Sequence, residues 1–359
     1  MTPIQKNLVG LTFQEIEEII LTLGEKKFRA NQIWQYIYLD GHKDFSLMTS
    51  LGKSLRLKLS QDYNLNRLTI KTEQLALDKT HKFLFSLADG KEIEAVYIPT
   101  KTRNTICVSS QVGCNMGCTF CNTGTQKLVR NLTSTEIINQ ILTIKEYYSD
   151  FNKDENRKIT NIVFMGMGEP LQNYKEVLKS LNILNDANGL SISKRKITLS
   201  TCGIVPMMEK LAQDMPVNLA LSLHGATDEI RSKIMPINNK YPLKELILAC
   251  NNYYQKSNTK KITLEYIMIK GLNDRLEDAK ELLKIAKQIP CKINLIPFHP
   301  WQGSPFEAPS KKTIYDFGEF LNANYITTTA RITRGDDILA ACGQLKSKSQ
   351  KTPKTPISL

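Results

Sequence analysis

Cys114, Cys118 and Cys121 stand in the run CNMGCTFC, a C-x3-C-x2-C arrangement. Three thiolates at this spacing can hold three irons of a cubane iron–sulfur cluster, whereas a fully ligated cluster takes four. The missing ligand leaves one iron open to a small molecule, as a catalytic metal keeps an open position. Structural zinc is the competing reading. Zinc ribbons use two C-x2-C knuckles, and the sequence has no second knuckle. The spacing therefore points to a [4Fe-4S] cluster.

Other reactive or polar residues fall at the ends of apolar runs. Gly168 and Glu169 lie in FMGMGEP, where glycines let the backbone approach a ligand and a carboxylate can face an amine. A plain tight turn is the alternative there. Ser200 ends KITLS, and Ser222, Leu223 and His224 end NLALSLH. Hydroxyls so placed can hold ribose or carboxylate oxygens. A single histidine such as His224 is more often structural, and His299 in LIPFHPW raises the same question. Cys107 in TICVSS and Cys342 in DDILAACGQL fit no cluster spacing. On residue type alone a cysteine in an apolar strand is a small buried hydrophobe, which is the reading for Cys202, Cys250 and Cys291. Glu94 in KEIEAVYIP reads as a solvent-facing hairpin carboxylate.

The elements that must carry these residues change character along the chain. Residues 1–75 show helical spacing: Phe13, Ile16, Ile19, Ile20 and Leu23 before Gly24, then FRANQIWQYIY, then LGKSLRLKLSQDY. Residues 76–99 turn to period two around Asp89-Gly90, a β-hairpin signal. From about 104 onward six apolar strands, NTICVSS, KITNIVFM, RKITLST, PVNLALSL, KITLEYIMI and CKINLIPF, alternate with helices. Thr133 with Glu136 three residues on is a capping box for the first of those helices. The pattern predicts an α/β fold, a partial (β/α)6 barrel over 100–337, preceded by a small helical domain and a hairpin linker. Sites in such barrels lie at the C-terminal ends of the strands. Residues 338–359 are expected to form a C-terminal segment carrying Cys342, with a disordered basic tail from 344.

The chain has 359 residues and a net charge of +13. That surplus points to a polyanion such as RNA or DNA, or to an anionic membrane surface. Lys26, Lys27, Lys53, Arg56, Lys58 and the Lys194-Arg195-Lys196 run are the candidate contacts. No apolar run reaches the roughly 18 residues needed to span a bilayer, and MTPIQKNLVG is not a signal peptide. A cytoplasmic location is expected, where clustered cysteines serve metals or catalysis more often than disulfides.

Four long stretches sharpen this: VSSQVGCNMGCTFCNTG, FMGMGEPLQNY, LSLHGATDEIRSKIMPIN and RGDDILAACGQL. Together they resemble the RlmN family of radical S-adenosylmethionine enzymes, which methylate C2 of adenine in RNA. The resemblance covers nearly the whole chain. It implies a [4Fe-4S] cluster on Cys114, Cys118 and Cys121, with the aromatic Phe120 beside the last ligand. It implies two molecules of S-adenosyl-L-methionine per turnover, contacted by Gly168, Glu169, Ser200, Ser222, Leu223 and His224. At His299 the family usually has Asn, a departure that imidazole's donor and acceptor can accommodate.

The same resemblance gives the remote cysteines their work. Adenine C2 is electrophilic, so direct transfer from a sulfonium fails. Cys342 is implied to accept a methyl group first, since a thiolate is a competent nucleophile. A 5′-deoxyadenosyl radical then takes a hydrogen from that S-methyl group, and the carbon adds to C2. Cys107 is implied to resolve the adduct by attacking the Cys342 sulfur, leaving a transient disulfide for thiol reductants. Glu94 matches a proposed proton acceptor, a role Cys107 also competes for. The implied partners are 23S rRNA and tRNA, whose target adenine must leave its stack, and an electron donor such as flavodoxin or ferredoxin. A monomer with no membrane association is expected. The rivals are a Cfr-type enzyme acting at C8, which GMGEPLQNY and RGDDILAACGQL fit less well, and a zinc-stabilised RNA-binding module without catalysis.

Overall fold

A computed structural model describes residues 5–151, 157–257, 260–331 and 334–349. Its centre is one ten-stranded sheet. Thr69–Leu75, His81–Ser86 and Glu92–Pro99 run antiparallel, and Asn104–Cys107 pairs antiparallel with the last of them. From Asn104–Cys107 the sheet turns parallel through Asn161–Phe164, Ile197–Thr201, Asn218–Ser222, Ile262–Met268, Cys291–Pro297 and Thr328–Ala330. Each parallel strand lies beside its predecessor in sequence, the winding of a (β/α) barrel rather than of a sheet that reverses its strand order. The two edge strands do not pair, so the barrel is open.

The six expected strands are all present, and helices return the chain between them. They read as near-continuous apolar runs because helices cover one face and the barrel interior the other. Ser134–Tyr147 shows how the sequence sets a helix. Thr133 Oγ1 accepts from the Glu136 amide at 3.2 Å, and Glu136 reaches back to the Thr133 amide at 2.9 Å. Ile137, Ile138, Ile141, Leu142 and Ile144 are then buried. Helices Phe13–Thr22, Phe28–Tyr38 and Lys53–Asp62 form the N-terminal module. It is stitched to the barrel helices: Trp34 Nε1 donates to Asp186 at 2.9 Å, and Ser134 Oγ donates to the Gly10 carbonyl at 2.8 Å.

Three features depart from the sequence reading. Thr69–Leu75, taken there as the end of a helical module, is an edge strand. It is almost wholly exposed, so no apolar alternation marks it. The hairpin is not a tether but an extension of the barrel sheet, with Val96 opposite Cys107. The polar stretch after Cys342 is not disordered up to residue 349: Gln344, Leu345 and Ser347 are buried. Residues 350–359, the rest of the expected tail, lie outside the described residues. A seventh parallel strand, Thr328–Ala330, also escaped the pattern because it is only three residues long.

Candidate active site

A cavity opens at the C-terminal ends of the parallel strands. Cys107, Phe164, Ser200, Ser222, Ile267 and Ile296 each bring one strand's end to its wall. Cys114, Cys118 and Cys121 line the same cavity from the loop after Gln111–Val112. That loop is pinned at several points. The Cys114 amide donates to Gln126 O at 3.0 Å, the Thr119 amide to Ile234 O at 3.0 Å, and Trp301 Nε1 to Phe120 O at 3.0 Å. Burial pushes the Cys114 thiol up to about 12 and raises Cys118 and Cys121 as well. Three half-buried thiols with raised pKa suit a polycation that would hold them as thiolates, which is what cluster irons would supply. Among the described residues no three His, Cys, Asp or Glu side chains converge on a single-ion site.

The turn Gly166–Glu169 forms the next part of the wall. Its glycines line the cavity and also allow close packing behind it. A Cβ on Gly168, whose φ is +96°, would stand 2.4 Å from the Gln111 Cβ, and one on Gly166 would stand 2.7 Å from the Val108 carbonyl oxygen. They let the turn close on the first barrel strand, which puts Glu169 in place. The Glu169 carboxylate accepts from the Leu171 amide at 3.0 Å and from the Cys202 amide at 2.8 Å. Burial raises its pKa, and these two amides pull the other way. The Thr201 and Cys202 side chains also favour its charged form, and a carboxylate on the cavity wall is a fitting partner for an ammonium group.

Ser200 and Ser222 face each other across neighbouring strands, hydroxyl to hydroxyl at 3.4 Å. His224 is buried in the left-handed region, with φ +57°. Its Nδ1 accepts from the Ile267 amide at 3.0 Å, so a neutral ring carries its proton on Nε2. Burial, aided by Arg231, pushes its pKa down to about 3. Leu223 does not line the cavity. Its side chain belongs to the main core, its amide donates to Glu265 O, and its carbonyl accepts from Arg231. Arg231, which sequence reasoning passed over, also donates to Cys202 O at 2.7 Å and Asn238 Oδ1 at 2.8 Å. It ties the ends of two strands together beneath the cavity.

Residues 334–349 cross the cavity mouth as a strap bearing Cys342. The cluster loop holds it: the Asn122 amide donates to Gly343 O at 2.7 Å, and Thr123 Oγ1 to Leu345 O at 2.5 Å. Cys342 and Cys107 both line the cavity. Arg331 Nη1 approaches Cys342 Sγ at 3.1 Å. Arg331 also lies within electrostatic reach of Cys107 and Glu265, and Cys342 is the largest influence holding its charge. Burial pushes the Cys107 thiol up to about 12, with Cys342 adding to the rise. Neither Arg331 nor Glu265 stood in a stretch with a readable signal. Glu265 is a buried carboxylate on the cavity wall, and its Oε2 has no hydrogen-bond partner among the described residues.

Glu94 does not line the cavity and is not solvent-facing. It is buried under the strap, ion-paired with Lys82. Cys202 lines the cavity, whereas Cys250 and Cys291 are buried as small hydrophobes. Of the basic candidates, Lys27 is paired with Glu17 at 3.0 Å, and Arg56 Nη1 donates to Ser46 O at 2.6 Å. The Lys194-Arg195-Lys196 turn precedes the strand Ile197–Thr201 and so lies at the opposite end of the barrel from the cavity.

Comparison with known proteins decides the family. Residues 108–284 match the Radical SAM superfamily, and residues 6–65 match the ribosomal RNA large subunit methyltransferase N-terminal domain. The Rhodospirillum rubrum dual-specificity RNA methyltransferase RlmN is 50% identical over 97% of this chain and 82% of its own. Its Gluconobacter oxydans counterpart is 46% identical over 97% of this chain and 86% of its own. The chain belongs to the RlmN family. A radical SAM methyltransferase from Sphaerobacter thermophilus has a similar structure, with a TM-score of 0.89 at 41% identity over 95% of this chain and 99% of that one. Cys107 lies one residue before the stretch matched by the superfamily, and Cys342 lies well beyond its end at residue 284. In this RlmN-family chain His299 lines the cavity, its Nδ1 3.3 Å from Asp336 of the strap. Burial lowers its pKa and Asp336 opposes that.

Proposed function

We propose that this protein is a radical S-adenosylmethionine RNA methyltransferase that places a methyl group on C2 of an adenosine in 23S rRNA and in tRNA. The observation that carries the reading is the convergence of Cys107, Cys342 and the three cluster cysteines on one cavity. A cluster enzyme needs the three; a methyl relay needs the other two. The residues present suit both cofactors. Cys114, Cys118 and Cys121 hold a [4Fe-4S] cluster, and Glu169, Ser200, Ser222 and the Nε2–H of His224 offer polar contacts for S-adenosylmethionine. When bound, these groups supply the methyl donor and, through an electron delivered from a flavodoxin or ferredoxin, a hydrogen-abstracting radical.

The chain's own residues do the rest. Cys342 takes the methyl group on sulfur, and the Arg331 guanidinium beside it donates a hydrogen bond that orients the sulfur for this attack. The methyl carbon, once it has lost a hydrogen, bonds to C2, and the adduct then gives up one electron, which returns to the redox cofactor, and the C2 proton. Cys107 as thiolate then attacks the Cys342 sulfur: a sulfur–sulfur bond forms, the sulfur–carbon bond breaks, its electron pair takes up a proton at the methylene carbon, and methylated RNA leaves. The apolar wall of Phe120, Ile267 and Ile296 keeps water from the reacting carbon. No helix of the described residues is long and apolar enough to cross a membrane.

Mass spectrometry of rRNA and tRNA nucleosides from cells with and without the gene tests the reading. 2-Methyladenosine should vanish from both RNA classes on deletion. Its persistence, or loss of 8-methyladenosine instead, overturns the assignment.

A further inference from the structure

Cys342 sits on a strap, and something must set where its sulfur points. Two grips flank it. Lys82 Nζ donates to the Leu339 carbonyl at 3.4 Å, three residues before Cys342. The Lys346 amide donates to Glu94 Oε2 at 2.9 Å, four residues after it. Lys82 Nζ and Glu94 Oε1 are themselves paired at 3.1 Å, with side chains only 10% and 9% exposed. One buried ion pair thus holds the strap on both sides of the methyl-carrying residue.

The sheet explains why the pair can do this. Lys82 stands opposite Val96, and Glu94 precedes Val96 by two residues on its strand, so all three share a face. Val96 and Ile98 on that face line the cavity, and Glu94 continues the same row under the strap. Both Glu94 oxygens are engaged, one by Lys82 and one by the strap backbone. A buried ion pair is a weak source of net stability, but loss of one partner is costly, which fits a role in fixing geometry.

We infer that the Lys82–Glu94 pair is a positioning clamp that presents the Cys342 sulfur to the cavity, in place of the proton-acceptor role suggested for Glu94 by sequence. The inference rests on Cys342 being the methyl carrier. Its physical content, the seating of the strap, can be read without RNA.

The test compares wild type with Glu94→Ala, Lys346→Pro and the double variant Lys82→Met/Glu94→Gln, all anaerobically purified with cluster bound. Lys346→Pro deletes the gripped amide and, with the side chain, its bond to Thr125 Oγ1, so Lys346→Ala, which loses only the latter, is run beside it as the control. The double variant keeps an acceptor for that amide but has no carboxylate. Alkylation of Cys342 by iodoacetamide, followed peptide by peptide, should accelerate about tenfold in the first two, as loss of a charged hydrogen bond implies. The double variant keeps an acceptor for the Lys346 amide but loses the Lys82 grip on Leu339, so it should fall between these variants and wild type, at about threefold. Formation of S-methyl-Cys342, a step in which no C2 proton moves, should slow in the same order. Wild-type alkylation rates in both Glu94→Ala and Lys346→Pro overturn the clamp. So does normal S-methylation in Glu94→Ala with turnover abolished, which would return Glu94 to the proton. If no variant, wild type included, forms S-methyl-Cys342, the methyl relay has failed, while the alkylation ranking still judges the clamp.

Discussion

Arg331 Nη1 lies 3.1 Å from the sulfur of Cys342. A guanidinium at that distance donates a hydrogen bond to the sulfur and fixes its direction for attack on a methyl donor. Arg331→Met keeps most of the volume and removes the charge. It should slow S-methylation of Cys342 roughly 10- to 100-fold. Time-resolved mass spectrometry of the Cys342 peptide reads this directly, and Arg331→Lys should recover part of the rate. An unchanged rate would remove Arg331 from the relay.

Cys107 shares the cavity with Cys342 and has burial to overcome before it ionises. Cys107→Ala leaves the adduct with no resolving sulfur. The variant purified from cells should carry RNA joined through Cys342, visible as nuclease-trimmed mass on that peptide. Adding Cys342→Ala should abolish the conjugate. Free, unmodified Cys342 in the single variant would refute the resolving role.

Gly168 combines a φ of +96° with a missing Cβ that would meet Gln111 at 2.4 Å. Gly168→Ala should cost about 2 kcal/mol in urea unfolding and weaken S-adenosylmethionine binding through the displaced Glu169. Gly24 also has positive φ, but nothing lies within 4 Å of its Cβ position. Gly24→Ala should cost about half as much, since only the backbone strain remains.

His224 gives a signed pH dependence. Its folded pKa is near 3, against an ordinary value of 6.5. Between those values the unfolded chain binds a proton that the folded one refuses, so stability falls as pH drops below 6.5. From pH 7 to pH 5 the loss from this group is about 2 kcal/mol. His224→Gln should remove that part of the decline in the urea midpoint. An equal decline in both proteins would place the cause elsewhere.

The barrel strands, the capping box at Thr133 and the cluster loop were legible because each signal is local: an apolar run, a four-residue spacing, three cysteines. The strap was not. Its sequence after Cys342 is polar, and its order comes from single backbone groups meeting Asn122, Thr123 and Glu94, residues more than two hundred positions away. Thr69–Leu75 was missed for a related reason, since an exposed edge strand needs no apolar face. Glu94 was visible as a residue but not as a buried one. Its burial depends on the strap, which composition argues against.

The loop that offers its sulfurs to iron also offers Asn122 and Thr123 to the strap. Metal insertion and seating of the methyl carrier therefore draw on the same few residues of backbone. A substitution at Asn122 or Thr123 reaches both at once: it loosens the loop that carries the metal ligands and the strap that carries Cys342.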